Sequence, residues 1–344
     1  MRPPGCVGEA MRRALRKRLV GQERGLAHLG AAALALGAVF LTASCDQALE
    51  PRPVATAPVA STAPMPRPPR MAEPPARISD DRIAQYFATL EAQRLANGML
   101  RQDRSPRDLP INARDVEEAF VRIALYDEYT MLDGQLVERK TPSVLRRWDM
   151  PVRMQLHFGE AAAAEARRND TNFVTGYAAR LASLTGHPVA RVESGGNFHI
   201  LVVDEAERQA IGPRLRQILP GVDSLTLDLV ENLPLSVSCL VLAYSRQGGN
   251  VYTDALAIIR TELPDLSRRA CFYEELAQGM GLSNDSPRAR PSLFNDTAEF
   301  AVLTVLDEQL LRILYDPRLR PGMREAEARP IIREIASELM GGAS

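Results

Sequence analysis

The residues best suited to chemistry lie in one run, Cys271-Phe272-Tyr273-Glu274-Glu275-Leu276-Ala277-Gln278-Gly279-Met280-Gly281-Leu282-Ser283-Asn284-Asp285. Glu274 and Gln278 are four apart, so on a helix they share a face, and Glu275 stands next to them. A carboxylate so placed can carry a proton, and carboxylate and amide oxygens together can hold a cation. The oxygen donors are Glu274, Gln278, Asn284 and Asp285, with Asn295 and Asp296 further along. This set suits calcium better than zinc, which favours His and Cys. No His falls in the run; His157, His187 and His199 are far upstream. The expectation is no cofactor and no zinc, with calcium as the alternative ion. Glu274 or Glu275 facing Asp285 or Asp296 would also suit glycoside hydrolysis, which needs two carboxylates across a cleft. Plainer roles compete with each of these: a polar helix surface or buried network for Glu274 and Gln278, and ordinary turns for the two Asn-Asp pairs.

The spacing resembles the metzincin pattern H-E-x-x-H-x-x-G-x-x-H, in which two His on one helical face and a third beyond a glycine turn bind zinc and the Glu is the general base. Glu275 matches the place of the base and Gly281 that of the turn. Glu274, Gln278 and Asn284 match the places of the ligands. Downstream, Ser292-Leu293-Phe294 resembles the Ser-x-Met turn, with Phe294 in place of Met. Leu303-Thr304-Val305-Leu306-Asp307 and Leu314-Tyr315 resemble the closing helix of matrixin-like metallopeptidases. The likeness implies a degenerate metallopeptidase-like domain whose metal ligands have been exchanged.

The chain also resembles a family of uncharacterised alphaproteobacterial lipoproteins, grouped as a domain of unknown function. Arg147-Trp148 with Pro151-Val152-Arg153, Glu274-Glu275-Leu276-Ala277-Gln278, Asn284-Asp285, Phe294-Asn295-Asp296, Leu314-Tyr315-Asp316-Pro317-Arg318-Leu319 and Pro321-Gly322-Met323 carry that resemblance. It brings no established activity. Together the likenesses imply a non-catalytic domain that binds a peptide or another envelope component. The alternatives are a hydrolase with Glu275 as base and an atypical metal or none, and a purely structural envelope lipoprotein.

The elements that must position these residues begin after residue 78. Ile83, Tyr86, Phe87 and Leu90 have helical spacing, and so do Val116, Phe120, Ile123 and Ala124, with Asn112 or Asp115 near the start of the second helix. Both read as helices dressing a domain's edge. From Pro151 to Gly159 apolar and polar residues alternate as in a half-buried strand. A helix carrying Val174, Tyr177, Leu181 and Leu184 follows, with Gly186 as its stop. Strands are expected at Phe198–Val203, Ser236–Tyr244 and Val251–Arg260. A helix over Glu205–Leu219 is interrupted at Gly212-Pro213, and the chain after Pro264 reads as mostly helical. This is an α+β pattern, metzincin-like in its mixed sheet and preceded by N-terminal helices, in one globular domain over 79–344 with the signature at 271–315.

The 344 residues carry a formal net charge of −1, which gives no footprint for nucleic acid. Basic residues cluster ahead of an Ala- and Leu-rich run, Leu26 to Leu41, that ends in Leu41-Thr42-Ala43-Ser44-Cys45. Residues 1–45 therefore read as an export signal with a lipobox-like end and lipid on Cys45, the alternative being plain cleavage after Ser44 or nearby and a secreted chain. Residues 46–78 are rich in Pro, Ala and Arg and read as a disordered linker. The expected location is the cell envelope, facing the periplasm and anchored to a membrane. In an exported chain Cys239 and Cys271 suggest a disulfide; two buried thiols are the alternative, and Cys271 as a nucleophile a weaker one.

Overall fold

The computed structural model describes residues 80–132, 135–245, 249–295 and 297–341. The expected export signal, Cys45, the linker and Asp296 lie outside the described residues.

Helix α1 is Asp80–Ala96 and α2 is Ala113–Ala124. Asn112 caps α2 through a reciprocal pair in which its side chain accepts from the Asp115 amide and Asp115 accepts from the Asn112 amide. The antiparallel hairpin β1 (Tyr126–Leu132) and β2 (Gln135–Pro142) follows, then β3 (Arg147–Trp148) and β4 (Val152–Phe158). Helix α3 (Ala164–Thr185) ends where Gly186 adopts φ 65°, and β5 (Val189–Val192) and β6 (Phe198–Val203) come next. Three short helices, α4 (Glu205–Gln209), α5 (Gly212–Ile218) and α6 (Ser224–Glu231), lead to β7 (Cys239–Ser245) and β8 (Val251–Arg260). The chain ends in α7 (Asp265–Gln278), α8 (Val305–Leu314) and α9 (Glu325–Gly341).

The main sheet runs β5-β4-β6-β8, all parallel, with β7 antiparallel on the far side of β8. Strand β3 adds a short parallel pairing at the start of β8. Parallel strands need cover on both faces, and the sequence supplies it. Met154, Phe198, Ile200, Ala257 and Ile259 point into a core shared with α2, α3, α7, α8 and α9. Leu201, Val203, Leu256 and Ile258 point the other way, under Leu215, Leu227 and Val230 of α5 and α6. The α+β class read from the sequence, with a mixed sheet, is what is observed.

Some local expectations change. Helix α2 is no edge dressing: Val116, Phe120 and Ile123 are fully buried, and each such side chain is worth about 1.5–3 kcal/mol of burial. In α1, Ile83 and Phe87 are buried but Tyr86 is 40% exposed. The hairpin, β5 and α6 were not anticipated. β5 has only four residues, too few for a period to show. The hairpin is rich in polar residues, and pairing rather than alternation defines it. The break expected at Gly212-Pro213 is real, because Pro213 sits in the first turn of α5, where its missing N–H is harmless.

Candidate functional site

Helix α7 lays Phe272, Leu276 and Ala277 into the core and turns Cys271 toward the edge strand. There Cys239 of β7 and Cys271 form a disulfide with Cα atoms 5.9 Å apart. The staple brings Glu274 and Glu275 to the start of β7: one oxygen of each and the Cys239 sulfur all lie within 4.8 Å of one another. One helical turn on, the Gln278 side-chain amide donates to Asp285 Oδ1 at 2.9 Å. Glu274, Glu275, Gln278 and Asp285 are therefore brought into one neighbourhood; helical spacing implied only that Glu274 and Gln278 share a face.

Glu275 is only 5% exposed. Burial pushes its carboxyl well above the ordinary glutamate range, and the charges of Glu274 and Asp285 push the same way. Two anions so close to a third carboxyl favour keeping a proton on the buried one. Helix α1 adds a residue that motif reading passed over. Arg94 is half-buried; its guanidinium is lowered by burial, with Glu274 acting in the opposite sense. Its register gave the signal, since 83, 87, 90 and 94 form one stripe of α1.

After α7 the chain doubles back through Gly279-Met280-Gly281, a turn built on close approach. Gly281 has φ 130°, and a Cβ there would come within 2.4 Å of the Arg146 carbonyl. A Cβ on Gly279 would strike the Phe198 ring. Trp148 Nε1 donates to the Gly279 carbonyl at 2.8 Å and Tyr315 Oη to that of Met280 at 3.0 Å. Arg147 donates to the carbonyls of Leu314, Asp316 and Leu319 and stacks on Tyr315. The Arg147-Trp148 and Leu314–Leu319 motifs thus meet at one turn.

The Ser292-Leu293-Phe294 segment is tied to α8 by a single carboxylate. Asp307 accepts from Ser292 Oγ at 2.5 Å, the Leu293 amide at 3.0 Å and the Thr304 amide at 2.8 Å. It is fully buried; burial raises it to about 6 against the pull of those donors. Phe294 is fully buried as part of the main core.

Other residues singled out by sequence fall elsewhere. Asn284 does not turn to Gln278: its amide and its side-chain Nδ2 donate to the carbonyls of Ile123 and Arg122 at the end of α2. Asn295 shapes its own loop, donating to the Ala289 carbonyl and accepting from Thr297. His157 and His199 meet on the opposite sheet face, ring nitrogens 3.1 Å apart. Burial, His199 and Arg214 push His157 down to about 4.

Zinc does not fit the residues around Glu275. The one sulfur is spent in the disulfide and no His approaches among the described residues. What remains is carboxylate and amide oxygen, a donor set for a hard cation. Residues 113–334 match the family described as protein of unknown function (DUF2927). No curated protein and no solved structure matches the chain.

Proposed function

We propose, for a chain that belongs to the DUF2927 family of proteins of unknown function, the role of an envelope binding module with a degenerate metallopeptidase-like domain, not a hydrolase. The observation that carries this reading is the state of Glu275. The residue in the place of the general base is buried and favours its proton, beside Glu274 and Asp285 and a sulfur locked in a disulfide. A base must be ionised and within reach of water or substrate.

The ligand is an extended peptide of an envelope protein. No described strand pairs with the outer side of β7, so its backbone groups suit strand addition. The chain is exported and held at a membrane through lipid on Cys45. Among the described residues no helix is long and apolar enough to cross a membrane.

Purified without chelator, the chain with Cys45→Ser should carry no stoichiometric zinc; one equivalent would overturn the reading. Extended peptides should bind in calorimetric titration, and failure of all of them to bind up to about 1 mM would overturn the peptide reading. Turnover of any such peptide that Glu275→Gln abolished would favour the hydrolase instead.

A further inference from the structure

A cavity of about 310 Å³ opens between the end of α2, the Asn284–Arg288 loop and the start of α9. Its charged walls are mostly paired internally. Arg122 bonds Glu118 at 3.1 Å, and Arg329 bonds Glu117 at 2.7 Å and Glu325 at 2.6 Å. Tyr126 spends its hydroxyl proton on Glu325. Three groups on the loop are not used up this way.

The first is Asn284, 2% exposed. Its Nδ2 must face the Arg122 carbonyl, 2.8 Å away, which fixes the orientation of the amide. Oδ1 has no partner among the described residues. A buried acceptor without a donor is costly to keep. The second is Ser286, 1% exposed, whose Oγ accepts from the Arg288 amide and so keeps its own proton to give. The third is Arg288, an exposed guanidinium at the rim that joins no ion pair among the described residues. Among the described residues the cavity therefore offers one buried acceptor, one buried hydroxyl donor and one cation in no ion pair.

We infer that this cavity binds a carboxylate that carries an N–H donor next to it, as in an N-acyl amino acid or the C terminus of a peptide. The carboxylate meets Arg288 and the Ser286 hydroxyl, and the N–H meets Asn284 Oδ1. Guanidinium and hydroxyl donors on a carboxylate make charge-assisted bonds. The volume admits a group of a few residues' size and excludes a folded partner. The inference stands on this cavity alone and does not depend on the β7 edge or on Glu275.

Calorimetric titration of the chain with Cys45→Ser against N-acetylalanine, its methyl amide and propionate tests it. N-acetylalanine should bind at least about tenfold more tightly than either analogue, since each lacks one of the two recognised groups. Arg288→Ala, at an exposed position, should lose the preference for the acid over the amide without lowering the melting temperature. Asn284→Ala is unsafe as the sole test because Asn284 also ties the loop to α2. An acetylated tripeptide acid that binds tighter than N-acetylalanine identifies a peptide terminus as the source; equal affinity identifies the single acyl amino acid. No binding up to about 10 mM, equal binding of acid and amide, or an unchanged preference in Arg288→Ala would each overturn the proposal.

Discussion

Two buried carboxyls, Glu275 and Asp307, decide how the candidate site behaves with pH. Both are raised in the folded protein, so folding takes up protons as pH rises past their ordinary values. Their contribution is fully present in acid and is lost as pH climbs, through about 6 for Asp307. Glu275→Gln imitates the protonated acid. It should flatten the decline of melting temperature with rising pH while leaving peptide binding intact; a steeper decline would contradict a protonated Glu275. Asp307→Ala acts differently, because it strands the donors of Ser292, Leu293 and Thr304 in the core. Urea unfolding should show a loss of about 3–5 kcal/mol. The opposite sign holds for Glu205. Burial would raise its carboxyl, but hydrogen bonds from Arg208 and Arg260 bring it down to about 2. Its stabilisation is present above the ordinary glutamate range and lost as pH falls toward 2. Glu205→Gln should therefore reduce the acid sensitivity of stability while costing stability at neutral pH, where two buried guanidiniums lose their anion.

At the level of elements, the disulfide joins an edge strand to the helix that carries the signature, across 32 residues. Closing a loop of that length is worth about 3–4 kcal/mol in the chain-entropy account. Replacing both Cys239 and Cys271 by serine should cost that amount in urea unfolding, and hydrogen exchange should rise first along β7, whose one strand partner among the described residues is β8. The sequence revealed those elements whose residues repeat with a clear period. The alternation of β4, the stripe of α3 and the continuous apolar run of β6 were all legible. What was hidden was relational. Nothing in Val116, Phe120 and Ile123 tells whether their stripe meets one neighbour or three. Nothing in a polar stretch such as 126–142 marks a hairpin, because backbone pairing by itself leaves no residue pattern.

The site divides along the same line. Helical spacing sufficed to place Glu274 beside Gln278. It could not show that Asp285, not Asn284, would complete the group, since that depends on how Gly281 turns the chain. At the scale of the whole molecule, the described residues form a sheet covered on both faces, and the export reading rests on residues ahead of them. Mass spectrometry of the chain expressed in a bacterium with lipoprotein processing should find a diacylglyceryl group on Cys45. An unmodified chain cleaved elsewhere would remove the anchor from the proposal and leave the domain's binding role standing. One residue of the turn connects these scales. Trp148 is the chain's only tryptophan; it is 1% exposed, lies 6.2 Å from Phe198 and donates to Gly279. The intrinsic emission of the protein is therefore a single-site signal from the signature turn. It should be blue and unquenched by iodide in the native state, and a ligand that shifts it reaches the surroundings of Trp148, made of the turn after α7, Phe198 and Tyr252.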